Sequence, residues 1–331
     1  FYGCSNLKKV IFEEGIEFKI IQAEIPLDSC SGADMFGKCT SLEEVIFPEK
    51  LEVMPDRILY GCTSLKKYNW PEGIKHLGWY PEEFMEEVTV IPEGVEEIGD
   101  SCFENCKGVK EFILPSTVKS LGDFCFSDSS VERITIPDGV EHLGSGCFWG
   151  SKIEKMIIPD SVKSMESETF YSCKNLKEIR YPEGITEIPY VDCGECDSIK
   201  NIYIPDSVQV IDNSFVACDS LEKVVLPLNL KKLESGTFYK CRNLKEIYIL
   251  SEKVEEIEER AFTFSSEELV IYVPKGKAKE YKELAMERYK NKTEKVDEIA
   301  YMEKITWQEV EDDEWDELLA GSEACLPAVN P

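Results

Sequence analysis

The sequence predicts an α/β solenoid, a stack of short strand-and-turn units closed at its C-terminal end by a helix. Three observations carry this. Segments 131–148 (VERITIPDGVEHLGSGCF) and 152–170 (KIEKMIIPDSVKSMESETF) are versions of one another. The residue closing each short strand falls at 13, 48, 71, 92, 115, 137, 159, 182, 205, 227, 250 and 274, and all are Pro except Glu13 and Leu250. Apart from one insertion near residues 20–31, these positions lie 21 to 24 residues apart, the period of a repeat array.

Each unit reads L-x-x-I-x-I-P-x-x-V-x-x-I, followed by F-x-x-C. In Leu42-Glu43-Glu44-Val45-Ile46-Phe47-Pro48 the spaced apolar residues make a short strand with one face buried. Proline ends it because it has no N–H to continue a ladder. A Gly-Val or Ser-Val pair then turns the chain, as at Gly94-Val95, Gly139-Val140 and Ser207-Val208. An aromatic residue follows and plugs the interior: Phe36, Phe103, Phe126, Phe148, Phe170, Phe215, Phe238 and Phe262. No single unit could close such a core. About twelve units, spanning residues 1–274, are therefore expected to stack with a parallel sheet on the concave face.

Units of this length with the I-P and F-x-x-C signatures resemble the BspA-like leucine-rich repeat family of bacteria, over residues 1–274. The resemblance implies a leucine-rich repeat array that binds other proteins and carries no chemistry of its own. It also implies more than one setting. Some members of that family are surface adhesins for host matrix proteins, and others have no known ligand.

Cys193-Gly194-Glu195-Cys196 has the spacing of a zinc knuckle or a redox dithiol, but it falls where other units carry Phe-x-x-Cys, as in Phe170/Cys173 and Phe215/Cys218. Cys196 is then the ordinary repeat cysteine, and Cys193 replaces the plug. A zinc site needs two further ligands. The two histidines, His76 and His142, are remote in sequence and share a slot where other units carry Glu, Lys or Ser, as solvated residues do. No metal or cofactor is expected. Cys4, Cys39, Cys62, Cys106, Cys173, Cys196, Cys218 and Cys241 hold one slot, and Cys102, Cys125 and Cys147 a second, just before Phe. Two ladders of buried free thiols are expected, not a disulfide framework. Reduced thiols in this number favour a reducing compartment, the cytoplasm, or an anaerobic habitat, with secretion to the cell surface as the alternative.

A net charge of −28 argues against nucleic acid, whose phosphates call for clustered Lys and Arg, and against anionic membrane. No apolar run reaches the roughly 18 residues of a membrane helix, so no membrane insertion is expected. There is no Gly-rich phosphate loop, no His-based dyad and no carboxylate pair that stands apart, so no catalytic residue is assigned. Acid runs such as Glu255-Glu256-Ile257-Glu258-Glu259 read as solvated surface. The sequence opens on Phe1-Tyr2-Gly3-Cys4, in the middle of a unit, so further N-terminal residues, and any secretion signal, are expected upstream.

Partner binding is expected on the concave strand face. The column one residue before the last core position of each strand includes Ile11, Ile46, Ile113, Ile157, Arg180, Tyr203, Val225, Tyr248 and Tyr272. Two residues earlier runs a charged column: Lys9, Glu44, Lys67, Glu111, Arg133, Lys155, Glu178, Lys223 and Glu246. β-Branched and aromatic residues suit an exposed strand in any case. Yet Tyr203, Val225, Tyr248 and Tyr272 on successive strands would form one contiguous patch, and Tyr is favoured at interfaces. These four and Arg180 are the candidate partner-binding residues.

After Pro274, residues 275–304 are rich in helix formers, and the spacing of Tyr281, Leu284 and Ala285 predicts a helix capping the open end. Residues 305–331 fit no repeat. Seven of the nine residues from 309 to 317 are acidic, while Trp307, Val310, Trp315 and Leu318 recur at helical spacing. This predicts an acidic amphipathic helix with Trp307, Trp315 and Leu318 as docking residues. A helix of this kind ending at Ala320-Gly321 resembles the double-glycine leaders of ribosomally made, enzymatically modified peptides. The resemblance implies that the repeat domain and residues 305–321 act as a leader for a core, 322–331, in which dehydrated Ser322 accepts the thiol of Cys325, with a peptide-modifying enzyme as partner. Three readings stay open: a non-catalytic protein-binding scaffold, a precursor peptide and a cell-surface adhesin.

Overall fold

The computed structural model describes residues 1–13, 35–54, 58–59, 61–78, 88–287, 289 and 295–315. Two compact units, Phe1–Ser151 and Lys152–Pro331, are each a parallel β-solenoid built from the same repeat.

In the N-terminal unit the strand Glu44–Ile46 lies between Lys9–Ile11 and Lys67–Tyr68, and Glu111–Ile113 between Val88–Val90 and Arg133–Ile134. In the C-terminal unit Lys155–Ile157, Glu178–Arg180 and Asn201–Tyr203 form one sheet. Lys223–Leu226, Glu246–Ile249, Val270–Pro274 and Thr306–Val310 form another. Each residue faces its counterpart one repeat on, as in Glu178↔Asn201, Ile179↔Ile202 and Arg180↔Tyr203. The pleat enforces this register. A slip of one residue would turn the buried Ile179 outward and bury its charged neighbours Glu178 and Arg180. The strands stop at Pro, whose carbonyl accepts the N–H three residues on, as from Val118 to Pro115 at 3.2 Å. That bond closes the turn encoded by the P-x-x-V spacing.

The V-x-x-I half of the unit, read from the sequence as turn, forms a second ladder of two-residue strands. Val53–Met54, His76–Leu77, Glu97–Ile98, Ser120–Leu121 and His142–Leu143 belong to it in the N-terminal unit. Glu187–Ile188, Val210–Ile211, Lys232–Leu233 and Glu256–Ile257 belong to it in the C-terminal unit. Two residues are too few for an alternating pattern to show. His76 lies in this ladder with its side chain 43% exposed, its Nδ1 2.9 Å from Oε2 of Glu97 one repeat on.

The plug turns make a third stack. The N–H groups of Ser101, Phe103 and Asn105 donate to the carbonyls of Asp123, Cys125 and Ser127 at 2.7, 2.8 and 2.7 Å. Alternate N–H groups can all point toward the next repeat only if the backbone alternates in hand. Among the described residues, those two before and two after each plug accordingly have positive φ, as at Ser101 (52°) and Asn105 (60°). Gly146 and Gly150 do this without strain, whereas Val191, at 54°, is a β-branched residue held in that region. Inside the turns the rings stack: Phe103 on Phe126 at 5.3 Å and Phe126 on Phe148 at 5.4 Å, then Phe215 on Phe238 at 5.7 Å and Phe238 on Phe262 at 6.4 Å.

The repeat thiols donate to the carbonyl of the preceding plug residue: Cys62 to Phe36 at 3.0 Å, Cys196 to Phe170 at 3.1 Å and Cys241 to Phe215 at 3.0 Å. Ser265 makes the same bond to Phe238 at 2.7 Å, so the slot requires a small donor and sulfur is one choice. Cys4 departs from the expected ladder. It is exposed.

At the C-terminal end α1 (Ala278–Glu287) buries Tyr281 and Ala285 and leaves Leu284 half-buried. The Tyr281 hydroxyl donates to the Ser251 carbonyl at 2.8 Å. In α2 (Val296–Lys304) Glu298 pairs with Arg260 at 2.8 Å. The following segment is not the amphipathic helix that its tryptophan spacing predicts. Thr306–Val310 is a strand, paired along its whole length with Val270–Pro274. The open edge of Val270–Pro274 presents a row of N–H and C=O groups that a strand satisfies and a surface helix does not. Trp307 stands opposite Ile271 and meets Phe262 edge-on at 6.1 Å, which ends the ring stack. Leu318, Ser322 and Cys325 lie outside the described residues, as do the readings that rest on them.

Candidate binding face

Along the strands the buried and outward columns alternate strictly, as in Glu111-Phe112-Ile113, where Phe112 is buried and Ile113 is 46% exposed. In the N-terminal unit the outward column is mixed, with Ile11, Ile46 and Asn69 in one register and Val90, Ile113 and Thr135 in another. In the C-terminal unit it reads Ile157, Arg180 and Tyr203 on one sheet and Val225, Tyr248, Tyr272 and Gln308 on the other.

The charged column beside it neutralises itself by cross-strand pairing. Glu44 holds Lys9 and Lys67 at 2.7 Å each, Glu111 holds Arg133 at 2.9 Å, and Glu178 holds Lys155 at 3.0 Å. Lys67 and Lys9 keep the Glu44 carboxyl below the usual carboxylate range. Exposed pairs of this kind contribute little stability. Their effect on the surface is to leave the neighbouring aromatic and aliphatic side chains as its distinguishing chemistry.

Two aromatic groupings result. The Arg180 guanidinium lies 5.4 Å from the Tyr203 ring centroid, and the Tyr203 hydroxyl donates to Glu183 at 2.9 Å. Tyr248 stacks on Tyr272 at 4.6 Å with 10° between the planes, and Lys223 Nζ lies 4.3 Å from the Tyr248 centroid. The Tyr248 hydroxyl donates to Glu246 at 3.1 Å. Burial, with the adjacent Glu246 charge, pushes this phenol well above its ordinary pKa, so it stays a donor at neutral pH.

The Cys-x-x-Cys segment is packed core. Cys193 and Cys196 are both fully buried, Cys196 donates to Phe170, and the Cys193 carbonyl accepts the Cys218 thiol at 3.2 Å, as a plug carbonyl does. Burial raises the pKa of both thiols, which makes them poor nucleophiles. The ring missing at Cys193 is supplied from elsewhere. Tyr181 occupies the last core position of its strand, where the neighbouring units have Ile158 and Ile204, and meets Phe215 edge-on at 6.4 Å. Its hydroxyl reaches Asp192, which stands where other units have Cys147 or Thr237. Among the described residues no group of three or more His, Cys, Asp or Glu side chains is placed to hold a metal ion. No helix among them is long and apolar enough to cross a membrane.

Residues 1–86, 80–193, 141–270 and 192–298 match the family model of the BspA type leucine rich repeat region. The chain belongs to this family. No curated protein matches the sequence. Its solved likenesses include a leucine-rich repeat protein from Bacteroides ovatus, 19% identical, with 83% of this chain and 86% of that one covered at a TM-score of 0.47. Another, from Eubacterium ventriosum, is 21% identical, with 70% and 78% covered at 0.47. A leucine rich cell surface protein from Faecalibacterium prausnitzii is 20% identical, with 74% and 82% covered at 0.40.

On this BspA-type array the residues singled out from sequence separate. Val225, Tyr248 and Tyr272 share one register, while Tyr203 sits with Arg180 on the other sheet. Trp307 faces inward and Trp315 outward, so the stripe expected to unite them does not form. Tyr248, expected to be open, is only 3% exposed. Lys223, Tyr272 and Trp315, the last at 6.4 Å and 67° to its ring, surround it. Lys223 was read only as part of the charged column. Its offset from Tyr248, one strand over and two residues earlier, is the signal that places it over the ring.

Proposed function

We propose that the chain is a protein-binding scaffold of the BspA type whose binding face is the outward column of the strand ladder in the C-terminal unit. Tyr203, Val225, Tyr248 and Tyr272 are its anchors, with Arg180 and Lys223 framing them. The stacked Tyr248–Tyr272 pair, with Lys223 over the Tyr248 ring, carries this reading. The core does not call for these rings. Their column points away from Ile247, Ile249 and Ile271, and in the N-terminal unit the same column carries no aromatic among the described residues, only Ile11, Ile46, Asn69, Val90, Ile113 and Thr135. Aromatic side chains offer a large contact area with few rotatable bonds, which is why interfaces favour them.

The test pairs wild type with the triple variant Tyr203→Ala, Tyr248→Ala, Tyr272→Ala, both as bait against extract and surface fractions of the native host. Each anchor should be worth about 2 kcal/mol or more of binding energy. Proteins held by wild type should be lost from the variant while both baits unfold in the same cooperative way. A variant that retains every bound protein would refute the assignment of this face.

A further inference from the structure

Tyr248 belongs to an outward column, yet it is 3% exposed, whereas Val225 and Tyr272 beside it are only half-buried. Lys223 and Tyr272 lie 4.3 and 4.6 Å from its ring centroid, and Trp315 closes on it edge-on at 6.4 Å. The chain leaves the strand Thr306–Val310, makes a turn in which the Glu314 N–H donates to the Glu311 carbonyl, and brings Trp315 edge-on to Tyr248. To get there it crosses Val270–Pro274, the strand that separates the two. Glu311 is held at 2.9 Å by Lys275 just beyond that strand, and Lys223, 3.9 Å from Glu246, lies 4.3 Å from the Tyr248 ring centroid. The crossing segment is Glu311-Asp312-Asp313-Glu314-Trp315, four acids and an indole, of opposite sign to both lysines.

We infer that residues 311–315 are an intramolecular occupant of the binding face, and that the partner is a protein segment presenting an aromatic side chain within an acidic run, which must displace Trp315. This rests on the reading of the face given above and specifies its ligand. The face accepts an indole edge against a tyrosine pair and acidic groups toward Lys275, and a competitor must offer the same. A tethered segment acts at roughly millimolar local concentration, so a contact with an intermolecular Kd of about 100 μM would weaken a competing ligand ~10-fold.

The experiment uses the full chain and a fluorescein-labelled peptide QEVEDDEWDELL, the sequence of residues 308–319. Trp315→Ala should bind it about ten times more tightly than wild type. Glu311→Gln, which removes the Lys275 pair without touching the rings, should give a smaller gain in the same direction. Tyr272→Ala added to Trp315→Ala should abolish the gain, as should Ala in place of Trp in the peptide. Equal binding to wild type and both variants, or a gain that survives Tyr272→Ala, overturns the inference. So does a wild-type dimer that Trp315→Ala converts to monomer, because the segment would then seat on a second copy. Host proteins retained by Trp315→Ala and lost from the tyrosine variant would leave the binding face standing even where the peptide fails.

Discussion

The hydroxyl of Tyr181 donates a 2.7 Å hydrogen bond to Oδ2 of Asp192, and neither residue is exposed to solvent. The bond follows from an exchange of volumes. The repeat carries a small residue, Cys193, where its neighbours carry Phe170 and Phe215, and a large one, Tyr181, where they carry Ile158 and Ile204. The tyrosine ring fills the space of the missing plug but brings a hydroxyl into the core, and Asp192 satisfies it. The second oxygen of that carboxyl, Oδ1, is buried without a hydrogen-bond partner.

Asp192 should make stability depend on pH. Burial pushes its carboxyl from 3.8 up to about 7, against the opposing hydrogen bonds from Tyr181, Thr169 and Cys193. The native chain thus keeps a proton that the unfolded chain releases. This stabilising contribution is complete below about pH 4 and is lost as pH rises through 7, at about 1.4 kcal/mol per unit in between. Asp192→Asn keeps an acceptor for Tyr181 and removes the titration. Urea unfolding should show the variant gaining on wild type from pH 4 to 7 and the gap levelling above. A constant gap would mean the acid is already ionised in the native state.

The volume exchange can be reversed. Tyr181→Ile alone should cost about 2–3 kcal/mol through the cavity it leaves, and Cys193→Phe alone about 1–3 kcal/mol through overpacking. Combined with Asp192→Thr, the residue found at 169 and 237, the two changes rebuild an ordinary unit and should recover most of the loss. A coupling of about 2 kcal/mol is expected from the cycle, and additive effects would show that the two side chains do not share one space.

Val191 holds φ at 54°, a region that costs a side chain other than Gly about 1–3 kcal/mol. The equivalent residue of the next repeat is Asn213, at 52°. Val191→Asn should therefore raise stability by about 1 kcal/mol in urea titrations, with the fold unchanged. A loss would indicate that the valine side chain contributes more by packing than its backbone costs.

Thiol labelling should divide the cysteines sharply. On a background of Cys30→Ser and Cys325→Ser, native protein should react quickly at Cys4 alone, and the other eleven thiols should appear only on denaturation. Burial raises the pKa of Cys125, Cys193, Cys196 and Cys218, so raising the pH moderately should not release them. Rapid native labelling of Cys62 or Cys241 would contradict the hydrogen bonds that hold them to Phe36 and Phe215.

The period of the repeat, its Pro-terminated strands, its plug turns and its inward thiols were all legible in the residue pattern. Each depends on contacts between a residue and its own copy about 22 residues away, so one pattern repeated many times states the contact again and again. The outward column was legible for the same reason, since the two-residue alternation of a strand places Val225, Tyr248 and Tyr272 in one register, with Tyr203 beside Arg180 on the neighbouring sheet. The second ladder was not, because strands of two residues carry no alternation. Nor was the partnership of Tyr181 with Cys193, in which two departures from the consensus, each odd alone, compensate across the core. The tail was misread most. Trp307, Val310 and Trp315 are spaced for a helix, and local spacing is all a single unrepeated segment offers. What made Thr306–Val310 a strand was the unpaired edge of Val270–Pro274, and what placed Trp315 on Tyr248 was the direction in which that strand then ends. Both are properties of the assembled sheet. They arise from hydrogen-bonding groups and surface that exist only once the repeats have stacked.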